Sequence, residues 1–199
     1  MRKRTAKADK KSQPGRLRIV AGKWRSRLLQ IAALPGLRPT AERIRETLFN
    51  WLAPHIGGAR CLDLFAGTGA LGLEALSRGA RQAVLVEKSA AAVATLQANV
   101  KSLDADGASV IHADAFEALR RTDLGSFDII FLDPPFADEN LDDLCRLLAG
   151  SPLLAATAWI YIEEDRDASQ AELPDGWQVV KTKNAGNVRY SLVRAAPNG

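Results

Sequence analysis

Residues 60–72 read RCLDLFAGTGALG. The apolar run RCLDLF (60–65) breaks at a glycine-rich turn, and GALGLEALSRG (69–79) continues with apolar residues at helical spacing. Gly67, Gly69 and Gly72 satisfy G-x-G-x-x-G, which permits a tight turn, close approach of a ligand to the backbone and close packing of helix on strand. Strand, glycine loop and helix in that order open a β-α-β unit and predict a parallel sheet.

The same alternation continues along the chain. AVLVE (83–87) precedes SAAAVATLQANVKSL, ASVIHA (108–113) precedes DAFEALRR, and FDIIFLD (127–133) precedes ENLDDLCRLLAG. Apolar strands alternating with amphipathic helices indicate a parallel sheet covered on both faces, and right-handed crossovers make it doubly wound. WIYIEE (159–164), WQVVKTKN (177–184) and VRYSLVR (188–194) follow. Only Ala185, Gly186 and Asn187 separate the last two, too few for a crossover, so they pair antiparallel. The expected fold is α/β: a doubly wound, mostly parallel, Rossmann-like sheet of seven strands with a C-terminal antiparallel hairpin.

Ahead of this unit, residues 1–15 read as a disordered basic tail. RLRIV (16–20) and RSRLLQ (25–30) flank Ala21–Trp24 and predict a small β-hairpin extension over 16–36. Lys23, Trp24 and Arg25 lie at its tip; cations around an exposed ring suit phosphate contact and base stacking, while Trp24 packed back on the body is an equal alternative. Thr40 reads as the N-cap of TAERIRETLFNWLA, with Ile44, Leu48, Trp51 and Leu52 on its buried face and Arg43 and Arg45 on other faces, free for ligand or solvent.

Charge divides along the same line. Residues 1–45 balance to +12 and residues 46–199 to −8, giving the net +4. A basic end on an acidic body points to a polyanionic partner, with nucleic acid foremost. Composition, at 47% apolar and 25% charged, is that of a soluble globular chain. No apolar run approaches the roughly 20 residues that span a bilayer, and no apolar segment follows the basic start to make a secretory signal. Cys61 and Cys145 form no framework or ligand cluster, and His55 and His112 are isolated, so no metal is expected and the expected setting is a reducing cytoplasm.

In doubly wound sheets ligands bind at the carboxyl ends of the strands. Asp63 precedes the glycine loop by four residues, where a carboxylate repels a pyrophosphate and suits a cationic amino group; that favours S-adenosylmethionine over NAD. Glu87, 20 residues after Gly67, can accept both hydroxyls of a ribose. Asp114 can N-cap its helix and also meet an adenine amino group. Phe65 in the loop and Ala115 beside Asp114 complete the candidate cofactor contacts. At the fourth strand end, FLDPPF (131–136) places a carboxylate, two prolines and a ring on a stiff corner. The Asp133 carboxylate and the Pro134 carbonyl can orient an exocyclic amine for methyl transfer, and Phe136 can stack on its base.

These residues together resemble a class I S-adenosylmethionine-dependent methyltransferase of the amino-methylating type, in which (D/N)PP(Y/F) is the amine-binding motif. LRIVAGKWRSRLL (17–29), LRPTAERIRETLFNWL (37–52) and CLDLFAGTGALGLEALSRGA (61–80) are similar to the RsmD family, bacterial enzymes that methylate guanine N2 in 16S ribosomal RNA. The resemblance implies a methyltransferase domain over 37–199 and cofactor contacts at Asp63, Gly67, Gly69, Glu87 and Asp114. It implies amine recognition at Asp133 and Pro134, base stacking at Phe136, and a pocket rim at Arg38, Thr40 and Arg43. The implied substrate is 16S rRNA in a small subunit or its precursor, with the enzyme a monomer. Adenine-N6 methylation of DNA or another RNA, an NAD-dependent oxidoreductase and a non-catalytic RNA-binding protein are the alternatives.

Overall fold

The computed structural model describes residues 15–32, 34, 40–135 and 141–195. Residues 1–14 of the basic tail, Arg38 and Phe136 lie outside them. Two short strands, β1 (Arg16–Arg18) and β2 (Leu28–Gln30), pair antiparallel, and helix α1 (Glu42–Leu52) follows. The sheet is then built from β3 (Arg60–Asp63), β4 (Gln82–Glu87), β5 (Ala108–His112), β6 (Phe127–Leu132), β7 (Leu154–Asp165), β8 (Gln178–Ala185) and β9 (Val188–Arg194). Helices α2 (Ala70–Ser77), α3 (Ala90–Ser102), α4 (Ala115–Leu119) and α5 (Leu141–Ala149) link successive strands.

The seven strands lie in the order β5-β4-β3-β6-β7-β9-β8, parallel through β7, with β9 antiparallel to β7 and β8. This is the expected architecture, hairpin included. Strand alternation sorts the core into two clusters. Cys61, Leu85, Ile129, Phe131, Tyr161 and Leu192 point to one face with α1 and α2. Leu62, Val84, Ile130, Leu132, Ile160 and Val193 point to the other with α4 and α5.

Helix α2 is buried on every side, all eight residues of it. One side packs on the sheet, and the N-terminal extension covers the other. Leu17, Ile19, Trp24 and Leu29 of the extension belong to the main core. The backbone is clamped as well: Val20 N and Ala21 N donate to the Glu74 carboxylate at 2.8 and 3.0 Å, and Trp24 N donates to Ser77 Oγ at 3.0 Å. On α3, Asn99 both accepts from Gln30 N and donates to Gln30 O, each at 2.9 Å. The hairpin is therefore part of the body, and its strands are shorter than the sequence patterning suggested because Glu74 and Ser77 satisfy groups that a longer ladder would use.

Three expectations are corrected. Trp24 is only 7% exposed, so it is no surface platform for a base: its ring completes the core under the hairpin. Arg45 is 1% exposed rather than free, because Nη1 reaches Glu74 at 3.1 Å, Nη2 the Arg18 carbonyl and Nε the Thr40 carbonyl. Burial lowers the Arg45 pKa, and Glu74 opposes that fall. Thr40 makes no cap bond; α1 starts from Ala41 without one, and the Thr40 hydroxyl is used elsewhere.

Candidate functional site

From β3 the chain winds outward to β4 and β5, then returns to place β6 on the other side of β3. Connections leaving β3 and β6 diverge to opposite sides, opening a crevice at their carboxyl ends. A cavity of about 820 Å³ opens there, lined among others by Asp63, Gly67, Glu87, Asp114, Asp133 and Glu163.

The glycine loop forms one wall. Gly69 takes φ +85°, a left-handed conformation that an L side chain rarely adopts, and starts α2. A Cβ at Gly72 would lie 2.1 Å from Leu85 Cδ2, so this glycine lets α2 settle onto β4. Asp63, 2% exposed, accepts from Gly72 N at 3.1 Å and from Phe65 N at 3.4 Å, which fixes the loop around it. Glu87 accepts from Gly67 N at 2.9 Å and Ser89 N at 2.7 Å. Asp114 caps α4 by accepting from Phe116 N at 2.9 Å, the expected capping role, and it also lines the cavity.

The proline corner forms the opposite wall. Thr40 Oγ1 donates to Asp133 Oδ2 at 2.9 Å. Pro134 is buried and Pro135 exposed, and neither has an amide hydrogen, so the corner offers acceptors. One strand over, Tyr161 donates its hydroxyl to Glu163 Oε2 at 2.6 Å.

Carboxylates dominate the electrostatics. Burial pushes Asp63 up to about 7, against its two amide hydrogen bonds and with help from Asp133 and Glu87. Burial pushes Asp133 up to about 6, with Thr40 holding it down. Burial and Asp133 push Glu163 up to about 8. Acids that resist ionisation this way call for a ligand that brings positive charge. The Gly67 amide, which in a pyrophosphate site would face the phosphate, is already held by Glu87. Thr68 also lines the cavity, and its buried hydroxyl has no hydrogen-bond partner among the described residues. A sulfonium-bearing amino acid joined to a nucleoside fits these groups: Asp63 and Thr68 would face its amino-acid end, Glu87 its ribose and Asp114 its adenine. A dinucleotide would place two phosphates among carboxylates.

Of the residues expected from sequence, Asp63, Phe65, Gly67, Glu87, Asp114, Ala115, Asp133, Pro134, Thr40 and Arg43 line this one cavity. Gly69 shapes the loop from behind. Lys23, Trp24 and Arg25 do not line it: the extension's tip sits on Ser77, the last residue of α2, whose eight residues extend about 12 Å from the loop. Glu163 and Asp165 were not anticipated. The one trace of Glu163 in the sequence is an acid closing the apolar run WIYIE, as Asp133 closes FDIIFL. Among the described residues no cluster could hold a metal ion, and no helix is long and apolar enough to cross a membrane.

The family model described as conserved hypothetical protein 95 matches residues 17–194. An Escherichia coli K12 protein named ribosomal RNA small subunit methyltransferase D is 43% identical over 188 residues, covering 94% of each chain. The Haemophilus influenzae protein of the same name is 39% identical over 181 residues, covering 89% of this chain and 93% of its own. The solved structure of yhhF from Escherichia coli superposes with a TM-score of 0.83 at 41% identity, over 92% of this chain and 100% of that one. The match spans the extension, the glycine loop and the proline corner together, so the likeness covers the site as well as the scaffold. The chain belongs to this family, the RsmD family of S-adenosylmethionine-dependent methyltransferases.

Proposed function

We propose that the protein methylates the exocyclic N2 amine of a guanine in small-subunit (16S) ribosomal RNA, within a partly assembled subunit in the cytoplasm, with S-adenosylmethionine as donor. The observation that carries the chemistry is Asp133, braced by Thr40, in the same cavity as Asp63 and Glu87. The relatives' names carry the substrate class.

The bound cofactor supplies an electrophilic methyl on a sulfonium, and the chain's own residues do the rest by alignment. The guanine N2 lone pair is conjugated into the ring and is a poor nucleophile. Asp133 and the Pro134 carbonyl accept its N–H bonds, turn the nitrogen toward the methyl and stabilise the positive charge that develops on it. With a pKa of about 6, Asp133 is largely ionised at neutral pH and can accept. The methylated amine then gives up one proton to the Asp133 carboxylate, which is half-buried and passes it on to water. Phe136 is proposed from the sequence as the ring that stacks on the base.

RNA would be held by the N-terminal extension, where Arg16, Arg18, Lys23, Arg25 and Arg27 are all exposed. Arg43, exposed and lining the cavity, would meet the phosphate nearest the target. The test is to incubate purified protein with labelled S-adenosylmethionine and small-subunit rRNA, naked or reconstituted with its proteins, and to identify the methylated nucleoside. N2-methylguanosine is expected; label only in N6-methyladenosine would refute the guanine assignment.

A further inference from the structure

Glu163 stands beside Asp133 and has no part in the steps above. Leu132 is level with Ile162 in the β6–β7 ladder, so Asp133 and Glu163 are the next residues of two parallel neighbours whose backbones run about 4.8 Å apart. Leu132 and Ile162 face α4 and α5, whereas Phe131 and Tyr161 face α1. Alternation therefore turns Glu163 to the α1 side, where Thr40 holds Asp133. Both acids line the cavity. Tyr161, itself fully buried, fixes Glu163 Oε2, while Oε1 accepts from none of the described residues.

A buried carboxyl beside a half-buried one holds one proton between the two more readily than none. Glu163 is buried, whereas Asp133 is half-buried and its carboxylate is favoured by the Thr40 hydrogen bond, so the shared proton resides on Glu163. Because Tyr161 already donates to Oε2, the proton belongs on Oε1. The wall thus offers a donor and an acceptor next to one another.

We propose that Glu163 reads the ring nitrogen adjacent to the target amine: its Oε1–H donates to that nitrogen while Asp133 accepts from the amine N–H. The two side chains together grip the amidine edge of the base, the amine and the imine-type ring nitrogen bonded to the same carbon. This reading rests on the amine methylation proposed above. For guanine this edge is N2 with N3, so the base enters by its sugar edge and N1–H goes unread. Tyr161 is the positioning residue that holds the acid in place.

The experiment is a competition within one transcript. Small-subunit rRNA made with equal shares of guanosine and 3-deazaguanosine, which keeps the amine and N1–H but has C–H in place of N3, is reconstituted with its proteins and methylated. Mass spectrometry of the digest compares the two N2-methylated nucleosides. Wild-type protein should favour guanosine by about tenfold or more, as a site built to hydrogen-bond its substrate does. Glu163→Gln, whose amide still donates, should keep most of that preference, and Glu163→Met should bring the ratio near one. Equal methylation of both bases by the wild type, or full preference in Glu163→Met, overturns the proposal. Calorimetric binding of S-adenosylmethionine checks that Glu163→Met is folded. If it is not, Tyr161→Phe takes its place, with a severalfold drop in the ratio expected and an unchanged ratio counting against Glu163. Failure of the underlying guanine reading looks different, since neither N2-methylated nucleoside would form. Methylated adenosine would move the same competition to 1-deazaadenosine, with N6 and N1 as the edge.

Discussion

Thr40 Oγ1 lies 2.9 Å from Asp133 Oδ2, so the residue that leads into α1 holds the residue that follows β6. Arg45, by donating to the Thr40 carbonyl at 3.2 Å and to Glu74 at 3.1 Å, ties that contact to α2 and the N-terminal extension. The reacting corner is braced through the core rather than by its own loop.

Removing the hydroxyl with Thr40→Val should raise the Asp133 pKa above about 6, because the hydrogen bond favours the carboxylate. The acid limb of the pH–rate profile should move to higher pH. The loss of a hydrogen bond to a charged group should cut the rate near pH 7 by about tenfold. An unmoved acid limb would remove Thr40 from the mechanism.

Asp63, Asp133 and Glu163 all have raised pKa values, about 7, 6 and 8. A carboxyl that binds its proton more tightly when folded contributes stability fully present below the unfolded value of about 4 and lost as pH rises through the folded value. Calorimetry of the ligand-free protein should show the melting temperature falling from about pH 4 to about pH 8 and levelling above that. Asp133→Asn and Glu163→Gln should each flatten that fall. A melting temperature that climbs over this range would contradict the assigned shifts.

Glu74 accepts from Val20 N, Ala21 N, Arg45 and Arg78 while wholly buried. Glu74→Leu strands a buried guanidinium and two amides, and urea unfolding should show a loss of about 3–5 kcal/mol. Adding Arg45→Met should restore part of it; a single-variant loss below about 1 kcal/mol would show that the clamp is idle.

Deleting the extension would strip Leu17, Ile19, Trp24 and Leu29 from the core, so its RNA role is better tested by charge alone. Arg16, Arg18 and Arg25 are exposed, and changing all three to Gln should leave the fold intact. Filter-binding titrations should show weaker rRNA affinity and a shallower dependence on salt, by roughly 0.7–0.9 in the log–log slope for each phosphate no longer neutralised. Unchanged slopes would make the basic face a solvated surface only.

The parallel order, the C-terminal hairpin and most of the cavity were legible because each rests on local pattern. Strand alternation names the inward residues, G-x-G-x-x-G names the loop, and strand ends locate Asp63, Glu87 and Asp133. What escaped depends on partners far along the chain. Glu74 looks like the polar residue of an amphipathic helix until the extension is laid over it. Arg45 looked exposed and Trp24 was left open between surface and core, because nothing near them in sequence reveals Glu74 or Ser77. Thr40 has the chemistry of an N-cap, and only the fold shows its hydroxyl spent on Asp133. Glu163 is one strand away from Asp133 in space but 30 residues away in sequence.

The most direct measurement is nucleoside mass spectrometry of small-subunit rRNA from cells lacking the gene, complemented with wild-type protein or with Asp133→Ala. One N2-methylguanosine should be missing in the deletion, restored by the wild type and absent with Asp133→Ala, although that variant still binds S-adenosylmethionine. Normal N2-methylguanosine in the deletion strain, or its restoration by Asp133→Ala, would contradict the assignment.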